Sequence, residues 1–175
     1  MRSRPIHSTG ARSEVDRLKK ELEELYIRAD PRSVDDPELA ADLGQYLCLR
    51  VSGYLEQAVA VILRDYCSKN SWGFAQQFAH SWIDRMPNLN ADALTKMVRR
   101  FNGVWAERLD GFLAEEERRT SLNSLVGIRN GVAHGKQQGL SRKRAWEYFE
   151  VVEAIVEWLL VCFSEQATKV PVQRT

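Results

Sequence analysis

From Asp36 to about Asn70 the chain carries one sustained apolar stripe, and only a helical fold accommodates it. Leu39, Leu43, Leu47, Val51, Leu55, Ala58 and Ile62 recur at steps of three and four, the period of a helix face rather than the alternation of a strand. Asp36-Pro37 is a start signal. The Asp carboxylate accepts from free first-turn amides, and Pro lacks the amide proton that would go unused at the first helical position. A helix of this length must find partners along its whole face, which makes it the spine of whatever forms. Gly53 interrupts it at a cost of about 1 kcal/mol against Ala, and a close helix crossing at that point is the expected reason.

The flanking segments read as further helices. Ser13 is placed to cap a first helix carrying Val15, Leu18, Leu22 and Leu25, ended by Asp30-Pro31. After the spine, Ser71 is expected to cap a short helix with Phe74, Phe78 and Trp82 on one side. His80 within it reads as packing. Asn90 caps a fourth helix through Phe101, closed by Gly103, and Trp105, Leu109, Phe112 and Leu113 mark a fifth. A helix from about Ala114 to Ala133 and a last one capped by Ser141 complete the series. The stripe of the last is Ala145, Tyr148, Val152, Ile155, Leu159 and Phe163. No strand pattern or repeat intervenes. The expected fold is all-α: a mostly antiparallel helical bundle, with short helices inserted between the second long helix and the helix ending at Ala133.

The chain of 175 residues suits one domain, expected over residues 13–167, between tails at 1–12 and 168–175 that are expected to be disordered. No apolar run has the length of about 18 residues that a membrane span needs, and the first residues lack the apolar core of a signal peptide. Cys48, Cys67 and Cys162 are widely spaced and read as reduced thiols, which places the protein in the cytoplasm. No Cys, His, Asp or Glu cluster has metal-ligand spacing, so neither metal nor cofactor is expected.

The formal net charge is only +1, yet it is unevenly spread. Between Arg118 and Trp146 stand seven basic residues and no acid: Arg118, Arg119, Arg129, Lys136, Arg142, Lys143 and Arg144. Glu115, Glu116 and Glu117 lie immediately before them. Such a segment suits a polyanion, or is merely a solvated face.

At its centre lies Arg129-Asn130-Gly131-Val132-Ala133-His134-Gly135. The segment closes an apolar helical pattern, with Gly135 where a left-handed glycine ends a helix. Asn123, Gly127, Asn130 and His134 follow at steps of four, three and four, giving one polar, small-residue stripe. A polar stripe must face water, a ligand or a second chain, because buried polar groups need partners. Its chemistry suits RNA cleavage. Histidine transfers protons near neutrality, arginine presents paired donors to a phosphate, and asparagine orients either. One copy offers one histidine; a symmetric dimer with facing stripes supplies two. Glu56, beside Gly53 on the long helix, is expected to approach the stripe and pair with Arg129 or a neighbouring base; its bland alternative is a solvent-facing acid.

Arg129-Asn130-x-x-x-His134, on the penultimate long helix of an all-α bundle, resembles the signature of the HEPN superfamily. Val51-Ser52-Gly53-Tyr54-Leu55-Glu56 and Leu122-Asn123-Ser124-Leu125 resemble its RiboL-PSP-type branch. The likeness runs from about Leu22 to Phe163. It implies a dimeric, metal-independent endoribonuclease of toxin or anti-phage defence systems, with Arg129 and His134 as the catalytic pair and Asn130 beside them. Apart from the resemblance, the residues themselves lead to the expectation that Glu56 and Asn123 support this pair and that Arg118, Arg119, Lys136, Arg142, Lys143 and Arg144 line the approach and bind RNA. An antitoxin or defence-system protein is a further implied partner, and a membrane is not. One branch of the superfamily has a Tyr two residues after the histidine, to which a partner attaches nucleotides; here that position is Lys136. Other members keep the fold as inactive binding or regulatory modules, which is the alternative reading.

Overall fold

A computed structural model describes residues 10–30, 36–135 and 140–165. Among them every regular element is helical. In order these are α1 (Ala11–Arg28), α2 (Pro37–Asn70), α3 (Gly73–Ile83), α4 (Ala91–Arg99), α5 (Gly103–Ala114), a 3-10 turn (Glu115–Glu117), α6 (Arg118–Ala133) and α7 (Arg142–Glu165). The expected tail at 168–175, most of that at 1–12, and Lys136 lie outside the described residues.

The long helix is the spine. Asp36 Oδ1 accepts from the Glu38 amide at 2.9 Å and Pro37 takes the first helical position. Leu47, Val51, Leu55, Ala58 and Ile62 are buried, whereas Leu39, in the first turn of α2, is 48% exposed. One 18-residue window of α2 has a mean hydropathy of 1.3, enough by length and composition to cross a membrane; 56% of that window is buried inside the protein.

The stripe of α7, from Ala145 through Phe163, is buried as expected. Its register on α2 is readable from three contacts. Leu140, just before α7, meets Gly44; Tyr54 donates to Glu153 Oε2 at 2.8 Å; and the rings of Tyr66 and Phe163 sit 5.2 Å apart. Both sequences ascend together, so α2 and α7 run parallel. α1 runs against them: Arg142 reaches the Tyr26 carbonyl, Lys19 bonds Glu153 at 2.6 Å, and Arg12 bonds Glu157. α3 folds back along α2, through bonds from Arg64 to Asp84 and between Ser68 and His80.

Several boundaries differ from expectation for local reasons. α1 starts at Ala11 behind Gly10, so Ser13 is not its cap. Ser71 closes α2, its hydroxyl donating to the Cys67 carbonyl at 2.7 Å, and α3 begins at a left-handed Gly73. Phe74 (89% exposed) and Phe78 (74% exposed) face outward, whereas Trp82 packs. α4 ends at Arg99, two residues before Phe101. Gly103 opens α5 behind Asn102, whose Oδ1 accepts from Val104 and Trp105, rather than closing α4. α6 begins only at Arg118, because Glu116 and Glu117 adopt left-handed φ angles of 50° and 56°. Such a conformation costs an ordinary residue roughly 1 kcal/mol, and Arg118 bonds to Glu115 and Glu116 across it.

The close approach expected at Gly53 is not there: a Cβ on Gly53 would meet nothing within 4 Å. It occurs one helical stretch earlier. A Cβ on Gly44 would lie 1.9 Å from the Leu140 carbonyl oxygen. The chain entering α7 is laid directly on α2 there, and no larger residue fits.

Candidate active site

α6 packs Leu122, Leu125, Val126 and Ile128 into the core. That fixes the opposite side of the helix outward, and Asn123, Gly127, Asn130 and His134 are all exposed. The polar stripe is therefore an open face of this chain, and a Cβ on Gly127 would meet nothing within 4 Å. The helix ends as the glycine signal implies. The His134 amide donates to the Asn130 and Gly131 carbonyls, the Gly135 amide donates to Val132 at 2.9 Å, and Gly135 takes a φ of 73°. His134 is thus the capping residue, held by backbone bonds, with its imidazole outside the last turn.

Each motif side chain has a distinct setting. Arg129 is half-buried, and its Nε lies 3.9 Å from Glu56 Oε1. This is the expected Glu56–Arg129 pair, at the outer edge of pairing distance. Glu56 Oε1 is buried and accepts no hydrogen bond. A carboxylate oxygen in that position holds the guanidinium by charge rather than by a hydrogen bond. Asn130 Oδ1 accepts from Asn88 Nδ2 at 2.9 Å. Asn123 turns the other way: its Oδ1 accepts from the Ala91 amide at 3.0 Å, so a residue of α6 satisfies the first free amide of α4. Asn90 satisfies the third, accepting from the Ala93 amide at 2.8 Å.

The flanking basic residues are mostly engaged within the chain. Arg118 donates to the Phe112 carbonyl at 3.1 Å and lies 4.1 Å over the Phe112 ring. Arg119 bonds Asp110 and lies 3.4 Å from Asp92, tying α6 to α5 and α4. Arg142 donates twice to the Tyr26 carbonyl and lies 3.8 Å over that ring, closing the C-terminal end of α1. Arg144 bonds Glu147 at 2.8 Å and covers Tyr148. Lys143 is exposed. The structure thus brings Glu56 to Arg129, sets Asn130 on Asn88, leaves His134 exposed at the end of α6, and gives four of the flanking arginines structural partners.

Asn88 is the residue the sequence did not mark. It stands in the turn between α3 and α4, and only the fold carries it to Asn130. No group of three or more His, Cys, Asp and Glu is arranged to hold a metal ion among the described residues.

The sequence pattern of the RiboL-PSP-HEPN family matches residues 13–160. The chain belongs to this family. The match spans every helix that shapes the site, from α1 into α7, so the Arg129–His134 segment falls inside it. Comparison with curated proteins and with solved structures gave no match.

Proposed function

We propose that this HEPN protein is a metal-independent endoribonuclease whose working site forms where two copies bring their α6 stripes together. The observation supporting this reading is the exposure of Asn130 and His134 at the end of α6 beside a half-buried Arg129, held by a carboxylate that accepts no hydrogen bond from it. A base removes the 2′-hydroxyl proton, O2′ forms a bond to phosphorus, and the bond to O5′ breaks as an acid protonates it. Two histidines, one from each copy, fill the base and acid roles. The paired guanidiniums meet the charge that grows on the phosphoryl oxygens. Products end in a 2′,3′-cyclic phosphate and a 5′-hydroxyl, and DNA resists because it lacks the nucleophile. A cytoplasmic toxin or anti-phage role, with a controlling partner protein, accords with this chemistry.

The test is cleavage of labelled RNA by the purified protein in the presence of a chelator, with end-group analysis of the products. Full activity of a folded His134→Ala protein would move the reading to a second one, a binding or regulatory module. One observation favours that alternative: Arg118, Arg119, Arg142 and Arg144 already have partners inside the chain.

A further inference from the structure

Three aromatic side chains stand in solvent around the start of α3: Trp72 (86% exposed), Phe74 and Phe78. Phe74, Phe78 and Trp82 follow at steps of four, so they share one side of the helix. Trp82 ends the row against Phe101. Arg100 lies over the Trp82 ring at 4.9 Å, and Lys96 lines the same cleft. We propose that this side of α3 and the end of α4 form a stacking platform for single-stranded RNA, apart from the α6 stripe; the proposal takes its substrate class from the ribonuclease reading above.

Charge decides which partner fits. Asp92, Lys96, Arg99 and Arg100 share the exposed side of α4, and the exposed Arg85 follows Trp82 by one turn, its amide donating to the Trp82 carbonyl at 3.1 Å. Among the described residues, Arg85, Lys96, Arg99 and Arg100 have no carboxylate within ion-pair distance. The two acids of this stretch are engaged by arginines from elsewhere, Asp84 by Arg64 and Asp92 by Arg119. α3 itself carries no Asp, Glu, Lys or Arg, so nothing on the helix repels a phosphate. Arginines that flank the motif are tied into the fold, whereas the cations at the end of α4 are not. A partner helix would need apolar side chains opposite Phe74 and Phe78 and carboxylates opposite Arg99 and Arg100. An RNA strand carries a π face and a negative charge in every nucleotide, the pair of features that aromatic rings beside cations hold.

Spacing and position fit a strand as well. Residues four apart on a helix rise about 6 Å, the length scale of one nucleotide step in an extended strand, so Phe74 and Phe78 suit neighbouring bases. The chain itself joins this platform to the motif. Asn88, six residues after Trp82, donates to Asn130 at 2.9 Å, and six residues extend over at most about 20 Å. A few nucleotides therefore reach from α6 to Trp82. Stacking on protein rings keeps bases splayed out and the strand unpaired, and an unpaired backbone lets O2′ swing in line with the leaving O5′.

The test uses the full chain. A base stacks through its π face whatever its sugar, so a single-stranded DNA oligonucleotide, which lacks the nucleophile and stays intact, is the binding probe. The same sequence as a duplex, and vesicles of phosphatidylcholine with phosphatidylglycerol, are the comparisons. Phe74→Ala/Phe78→Ala and Lys96→Ala/Arg99→Ala change exposed positions only, and binding is followed by fluorescence anisotropy over a range of salt. The single strand should bind more tightly than the duplex. Losing both phenylalanines should weaken strand binding by about tenfold or more with the salt slope unchanged. Losing both cations should lower that slope by about 1.4, at roughly 0.7 per charge. Cleavage of long unstructured RNA below saturation should fall in step with strand affinity, while a dinucleotide, too short to reach α3 from α6, should be cut equally by all three proteins. Strand binding indifferent to both double variants overturns the platform. So does a phenylalanine effect confined to vesicles, or to self-association measured by light scattering. RNA cleavage alongside that indifference leaves the ribonuclease reading standing, and platform-dependent strand binding without cleavage of any RNA keeps the platform and removes that reading.

Discussion

The two ends of α6 both carry arginine and hold it in opposite ways. At the start of the helix the Arg118 side chain is 12% exposed, stacked on Phe112 and bonded to a carbonyl and two carboxylates. Arg119 beside it bridges Asp92 and Asp110. At the end of the helix the Arg129 side chain is 35% exposed, and Glu56 stands 3.9 Å from it. Charge counting treats the three alike. Their surroundings divide them, because a guanidinium has five donors and its role follows from how many the fold has already used. The first two fasten α6 to α4 and α5, whereas the third is met only by the Glu56 carboxylate among the ion pairs of the described residues.

The largest effect should fall on activity at the open end. His134→Ala and Arg129→Ala should each lower RNA cleavage by about 100-fold or more, with the thermal midpoint little changed, since one removes proton transfer and the other a preorganised charge. If Arg118→Ala costs as much cleavage per folded molecule as Arg129→Ala, the contrast between the two ends is broken. The next effect should fall on stability at the closed end. Arg118→Ala loses a ring contact and a carbonyl bond in a largely buried place, and should destabilise by about 1–2 kcal/mol in denaturant unfolding.

Alkali should act on the scaffold. Burial pushes the Cys48 thiol from its ordinary 9.0 up to about 11, with Arg144 opposing the shift, and burial and Glu153 raise the Tyr54 phenol too. The folded protein therefore keeps these protons to higher pH than the unfolded chain does. For Cys48 the associated stability is complete below pH 9 and lost as pH rises towards 11. Denaturant midpoints should fall over that window, and Cys48→Ala should remove the thiol's part of the fall. The smallest effect sharpens the contrast among surface charges. Lys143→Ala should lower the salt slope of RNA binding by about one unit, whereas Arg119→Ala should leave it unchanged. Equal slopes for both variants would show that engaged and free cations bind RNA alike.

What the sequence disclosed depended on how far apart the partners lie. Asp36, Asn90 and Ser141 were readable as caps because the amides they accept from lie two or three residues on. Gly53 drew the expectation that belonged to Gly44, because the Leu140 carbonyl comes from a distant part of the chain and leaves no local sign. Phe74 and Phe78 had helical spacing, which tells which residues share a side but not whether anything covers it. In the site, Arg129, Asn130 and His134 were legible as one short motif, and Glu56 as the acid beside a glycine on the facing helix. The ties on Arg119 were not, since Asp92 and Asp110 lie outside the basic segment. Asn88 had no signal beyond being an amide in a turn.

The Asn123 bond to the Ala91 amide turns one backbone proton into a clock. That proton is shielded only while a side chain of the motif helix covers it, so it can exchange with heavy water only when α6 and the first turn of α4 come apart. Its exchange rate therefore times how often that junction opens, in the resting protein and without substrate. The same measurement, repeated as a second copy or an RNA strand is added, would register whatever steadies or loosens the motif helix before any bond is cut.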